Sequence, residues 1–235
     1  MTTQAVSLHF CWPILPLSDS LQTRKPVLTL SGMLTPVFPD AVLPLSRLDW
    51  AIAGTSSSTL IPSREDPNKA IKHGQWAHWI DSRSAQCDGV VDEGDMVDDP
   101  SDPALTLETG RMLNPATGVE TDYEEVWRSE PIQMVAGAGD GEAVTCLALQ
   151  MEGGEGSKRG LLVRLGQYCQ AFARDGDEIA LERLQWDSDQ QRWVTKVRIG
   201  KLEFPTDIAT YLAHEARVDD EVKVGSEVWR VIERL

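Results

Sequence analysis

The chain has 235 residues, enough for one large domain or two small ones, and its 37 Asp and Glu outweigh 22 Lys and Arg to leave a formal charge of −15. That balance argues against a nucleic-acid partner, because affinity for a phosphate backbone comes largely from cationic side chains that release counterions. A hydrophobic fraction of 41% with eight Trp is enough to bury a core, which excludes a wholly disordered chain.

The longest apolar stretch, around Val6 to Leu17, is cut by Pro13 and Pro16 and falls short of the ~20 residues that span a bilayer. No Lys or Arg precedes Arg24, so the cationic start of a signal peptide is missing and a cytoplasmic, soluble protein is expected. Cys11, Cys87, Cys146 and Cys169 show no paired spacing, so reduced thiols are expected rather than a zinc knuckle or a redox dithiol.

In chain order, apolar residues recur mostly with period two, the pattern of a strand with one buried face. Val6, Leu8, Phe10 and Trp12 alternate with Ser7, His9 and Cys11. Leu48, Trp50 and Ile52 do the same and run into Gly54 and a Ser/Thr cluster that reads as a loop. The carboxylate-rich segment from Cys87 to Pro103 reads as a solvated acidic loop, since it lacks EF-hand spacing. Leu105, Leu107, Thr109 and Arg111 share one face of a further strand, Asn114 to Gly118 is turn chemistry, and Val119 to Trp127 is the return strand of that hairpin.

After Pro131 the Gly137 to Gly141 run cannot hold an element interior, so a domain boundary is expected there. It divides the chain into residues 1–133 and 141–235. Beyond it, Ala143 to Met151 reads as a strand, and another begins at Leu161 and continues through Tyr168 and Phe172. Arg164 and Tyr168 lie on the opposite parity from Leu161, Val163 and Leu165, which suggests an interdomain hydrogen-bonding role, with a second pocket as the alternative. Trp193 to Ile199 alternates as a strand, Asp207 to Arg217 carries helical spacing, and a hairpin from Val222 to Ile232 ends the chain. The expected fold is all-β: two tandem antiparallel β-barrels with one short helix in the second. A small barrel of this kind can close its edges and hold one small ligand.

Several short blocks carry a family resemblance. They are Leu48-Asp49-Trp50-Ala51-Ile52-Ala53-Gly54-Thr55, Trp76 to Asp81, and Tyr123-Glu124-Glu125-Val126-Trp127 followed by Pro131. In the second half, Gly160 to Gly166 with Gln170-Ala171-Phe172 adds another. Together and in this order they resemble the fungal Hri-one family, proteins named for interaction with a casein kinase I. The resemblance implies two lipocalin-like barrels in tandem and a binding or adaptor role without established chemistry. It is weakest before Arg47, where His9, Cys11-Trp12-Pro13 and Met33 depart from the family pattern. In size and acidity the chain is also similar to fungal cofactor-free hetero-Diels–Alderases, which join tropolone or polyketide units to terpenes.

The candidate site follows from the aromatic residues of the first half. Phe10, Trp12, Trp50, Trp79 and Trp127, with Trp76 nearby, are expected to wall a pocket for an apolar unsaturated small molecule. Arg111, Tyr123 and His9 are the donors expected to polarise it, with Asp81 as a further polar neighbour. No metal is expected: spacings of five and three would put His73 and His78 on opposite faces of a strand, away from a common site with Asp81. No cofactor is expected either, because the glycine run lacks the Lys and Ser/Thr of a phosphate loop and no G-x-S-x-G block occurs. Two functions remain: a cofactor-independent pericyclase that holds two unsaturated partners in a reactive pose, and a non-enzymatic adaptor or ligand-binding protein. A homodimer or another protein partner is left open by the sequence.

Overall fold

The computed structural model describes residues 6–9, 25–31, 42–48, 50–64, 66–114, 117–135, 144–154 and 157–235, the first two stretches as backbone. Period-two alternation becomes strands β1 (Val6–His9), β2 (Lys25–Ser31), β3 (Trp50–Pro62), β4 (Ala70–Asp81), β5 (Val91–Asp98), β6 (Leu105–Asn114) and β7 (Val119–Arg128). Consecutive strands pair antiparallel, and β1 then lies parallel to β7, with Val6 opposite Val126 and Ser7 opposite Trp127. That last pairing closes the sheet into a barrel and removes its free edges.

The second sheet contains β8 (Cys146–Gly153), β9 (Lys158–Leu165), β10 (Tyr168–Asp175), β11 (Glu178–Asp187), β12 (Arg192–Ile199), β13 (Glu221–Val224) and β14 (Glu227–Arg234). Its order is β12-β11-β10-β9-β8-β14-β13. Among the described residues the chain is thus all-β apart from the short helix α1 (Thr206–Thr210) and a 3₁₀ turn at Leu45–Arg47. Among the described residues, hydrogen bonding does not return from β12 to β13, so this half is an open sheet where the sequence suggests a closed barrel. The chain between those strands carries α1 instead, and Leu202, Phe204, Ile208, Ala209 and Ala213 cover one sheet face with Leu147, Leu162, Trp229 and Val231.

The other face meets the first barrel. Leu161, Val163, Phe172, Leu181, Val197 and Ile199 form one apolar cluster with Ala51, Ala53 and Ile80. Small side chains on the outer face of β3 let the two sheets approach closely, and buried apolar area then holds them together. At the margin Arg159 donates to the Trp79 carbonyl at 2.9 Å and pairs with Asp88 at 2.8 Å, while Arg174 donates to the Asp81 carbonyl at 2.6 Å.

Five local readings need correction. The Ser/Thr cluster after Gly54 is not a loop but the continuation of β3, because each residue pairs with β4 through Pro62 opposite Ala70. The acidic segment contains β5, whose Asp92, Gly94 and Met96 turn inward while Glu93 and Asp98 meet solvent and Asp95 pairs with His73. The strand expected to run from Leu161 through Phe172 is two strands, reversed at Gly166, whose positive φ of 53° suits glycine. Arg164 is fully buried in the second sheet's own core, where it lies over the Trp193 ring at 5.0 Å and donates to the carbonyls of Gly166, Ala209 and Thr210. The helical spacing of Asp207 to Arg217 yields only the five residues of α1. The expected domain boundary at Gly137 to Gly141 lies outside the described residues.

Candidate functional site

The closed barrel holds a cavity of about 40 Å³, open at one side. Its lining comes from β3 (Trp50, Ile52), β4 (Trp76), β5 (Asp92, Glu93), β6 (Glu108, Arg111, Met112) and β7 (Tyr123, Glu125, Trp127). Alternation explains the set on β7, where Tyr123, Glu125 and Trp127 turn inward and Glu124 and Val126 outward. On β6 the apolar face is the outer one: Leu107 is exposed, while Glu108 is buried to 3% exposure.

Glu108 and Tyr123 fit side by side because glycine stands at the two facing positions Gly94 and Gly110. A Cβ on Gly110 would collide with the Tyr123 phenol, and one on Gly94 would lie 2.7 Å from the Glu108 carboxyl. The Tyr123 hydroxyl donates to Glu108 Oε1 at 2.7 Å, whereas the buried Oε2 makes no hydrogen bond of normal geometry. Burial pushes the Glu108 carboxyl up, more strongly than the Tyr123 hydroxyl and the Trp127 indole N–H pull it down, and the Asp92 charge adds to the rise. Tyr123 is pushed up in turn, first by burial and then by Glu108, Glu125 and Asp92. Burial is the largest cause of both shifts.

Deeper in the wall, His78 lies between two carboxylates, with Nδ1 3.0 Å from Asp81 Oδ2 and Nε2 2.8 Å from Asp92 Oδ2. Burial would lower its pKa, but the hydrogen bonds to Asp81 and Asp92 outweigh it and raise the value to about 9. The ring is therefore an imidazolium near neutral pH, donating from both nitrogens. Asp81 also accepts from the Trp50 indole at 3.1 Å and from the Arg83 backbone N–H at 2.7 Å, and despite burial its pKa is lowered. Arg83 lies over the Trp50 ring at 4.7 Å.

Of the residues singled out in the sequence, Trp50, Trp127, Arg111 and Tyr123 meet at the cavity. Arg111 reaches it from an exposed rim, where it lies 3.8 Å from Glu120 and 3.6 Å from Asp122. Trp79 does not line the cavity: a register shift between Ala53 and Gly54 accompanies its turn to the interdomain cluster, under Arg159. His9 ends β1, and its side chain, with all of Phe10 and Trp12, lies outside the described residues. His73 and His78 do fall on opposite faces, and His73 pairs with Asp95 at 2.8 Å. Among the described residues, no group of His, Cys, Asp and Glu is arranged to hold a metal ion, and no helix is long and apolar enough to cross a membrane.

Sequence reasoning missed Glu108, Asp92 and His78. Their signal was a glycine at matching parity on neighbouring strands beside an acidic residue amid indoles, which is visible only once β5 and β6 are in register.

The sequence pattern of the family described as Protein HRI1 matches residues 15–233. No curated protein matches the chain. Among solved structures, the crystal structure of an uncharacterized protein of Saccharomyces cerevisiae, YLR301w, has the same fold. It superposes with a TM-score of 0.61 at 15% identity, covering 98% of each chain. With a family match spanning nearly the whole sequence, this chain belongs to the HRI1 family.

Proposed function

We propose that the first barrel is a binding site for a small organic molecule, which enters the cavity between Trp76, Tyr123 and Trp127 and hydrogen-bonds to Glu108. The observation that supports this reading is the Glu108 carboxyl: 3% exposed, held by Tyr123 through Oε1, with Oε2 outside hydrogen-bond geometry and the Trp127 indole N–H as the carboxyl's other stabilising neighbour. A buried acceptor or donor without a partner costs about 1–3 kcal/mol, and a ligand that supplies the partner recovers it. Indole walls add area and orient a flat or compact group.

The same pair bears on catalysis. When protonated, Glu108 is a donor held in place by Tyr123, and such a donor polarises an unsaturated carbonyl toward addition. This supports a cofactor-independent cyclase, including the hetero-Diels–Alder reaction joining polyketide or tropolone and terpene units. Against it stands size: about 40 Å³ has room for a few small atoms rather than two ring systems. Binding is therefore the better-supported function, and an adaptor role is compatible with it.

Titration of the full chain with small amines and unsaturated carbonyl compounds, read by Trp fluorescence, tests binding. Saturable quenching in the wild type that is weakened in Glu108→Gln supports the reading, and no quenching by any member counts against it. Incubation with a diene and an alkene tests catalysis; a product mixture identical to the uncatalysed one removes the cyclase.

A further inference from the structure

We infer that the cavity of the first barrel takes an alkylammonium head group, primary or methylated. This rests on the binding reading above and names the class of ligand. Three inward carboxyl side chains line the cavity (Asp92, Glu108 and Glu125), with Glu93 reaching it through its backbone carbonyl, against one guanidinium, Arg111. Arg111 is drawn away to Glu120 and Asp122 on the exposed rim. Two further cations stand in the wall: the His78 imidazolium, shared between Asp81 and Asp92, and the Arg83 guanidinium, held over the Trp50 ring. A neutral carbonyl ligand would bring one more acceptor to a wall already rich in acceptors, whereas an alkylammonium brings the opposite charge and, where it keeps N–H bonds, donors as well.

The aromatic lining points the same way. Indole and phenol faces attract cations within about 6 Å of the ring centroid, most strongly where water is excluded. Trp50 already has the Arg83 guanidinium over its ring at 4.7 Å, and Trp76, Trp127 and Tyr123 form the remaining walls. Glu108 supplies the second, independent feature, because its carboxyl is buried among these rings with Oε2 outside hydrogen-bond geometry, steadied by the Trp127 indole N–H. Volume sets the size: about 40 Å³ suits a compact head with its tail leaving past Arg111 and Met112.

The test uses the full-length chain with two probes of one shape, choline and dimethylbutanol, its neutral carbon isostere, each titrated by Trp fluorescence and calorimetry. Choline is expected to bind at least about tenfold tighter than the alcohol. Glu108→Gln is expected to remove most of that preference by weakening choline much more than the alcohol, with near-ultraviolet circular dichroism confirming the fold. Glu125→Gln provides a second variant nearer the rim, where a smaller loss of preference is expected. Equal or tighter binding of the alcohol overturns the cationic class yet leaves the binding site standing. Failure of both probes also overturns it, and the unsaturated carbonyl series then decides on the binding site by itself.

Discussion

The Tyr123 hydroxyl donates to Glu108 Oε1 at 2.7 Å across two neighbouring strands, in a slot made by Gly94 and Gly110. Each partner is held by the other, so removing either leaves a polar group buried without compensation. Tyr123→Phe is expected to destabilise the protein by about 1–3 kcal/mol, and Gly110→Ala by a similar ~1–3 kcal/mol because the added methyl drives into the phenol ring. Urea denaturation of the two variants checks both values. A Gly110→Ala protein as stable as the wild type contradicts the packing described for the slot.

His78 gives the protein a pH signature. Its folded pKa of about 9 lies above the ordinary 6.5, so the stability it contributes is fully present below pH 6.5 and is lost as pH rises through 9. The shift corresponds to at most about 3 kcal/mol. Asp81 has the opposite sign: its lowered pKa contributes stability above its ordinary 3.8 that is lost as pH falls through the folded value. Denaturation midpoints should therefore fall between pH 6.5 and 9, and His78→Gln should flatten most of that slope. Glu108, with its raised pKa, adds a smaller fall above its ordinary 4.5, which Glu108→Gln separates from the His78 effect.

The halves 1–133 and 141–235 are proposed to depend on each other for stability, since Phe172 and Leu181 share one apolar cluster with Ala51, Ala53 and Ile80. Phe172→Ala is expected to cost about 3–5 kcal/mol. Expressed alone, either half should aggregate or unfold at lower denaturant than the full chain, because the cluster would face water. Halves as stable as the whole would establish independent domains instead.

Much of the fold is legible in the sequence because alternation carries it. The β6–β7 hairpin is marked by Asn114 to Gly118 and by flanking period-two runs, and its strands pair from Leu105 opposite Arg128 to Asn114 opposite Val119. What alternation cannot supply is which face is inward. Leu107 and Val126 look like core, yet both are exposed, and Glu108 and Trp127 point inside. In a small barrel the interior is decided by closure, and closure depends on β1 meeting β7, a contact about 120 residues apart in the chain. Acidic β5 was hidden for a related reason: Asp92 is half-buried against His78, a partner contributed by another strand. Tyr123 and Trp127 were accessible to sequence reasoning because aromatic residues announce burial by themselves; Glu108 was not, because a buried carboxyl is recognisable only by its neighbours.

The indole N–H signals of the eight Trp side chains offer the most direct test of ligand binding in the first barrel. Trp50, Trp76 and Trp127 line its cavity, whereas Trp186, Trp193 and Trp229 belong to the second sheet. A proton–nitrogen correlation spectrum recorded during titration with choline and with an unsaturated carbonyl compound should shift the first three in a saturable manner and leave the last three in place. Unmoved cavity indoles with either ligand, or shifts confined to Trp186, Trp193 and Trp229, would contradict a binding site in the first barrel.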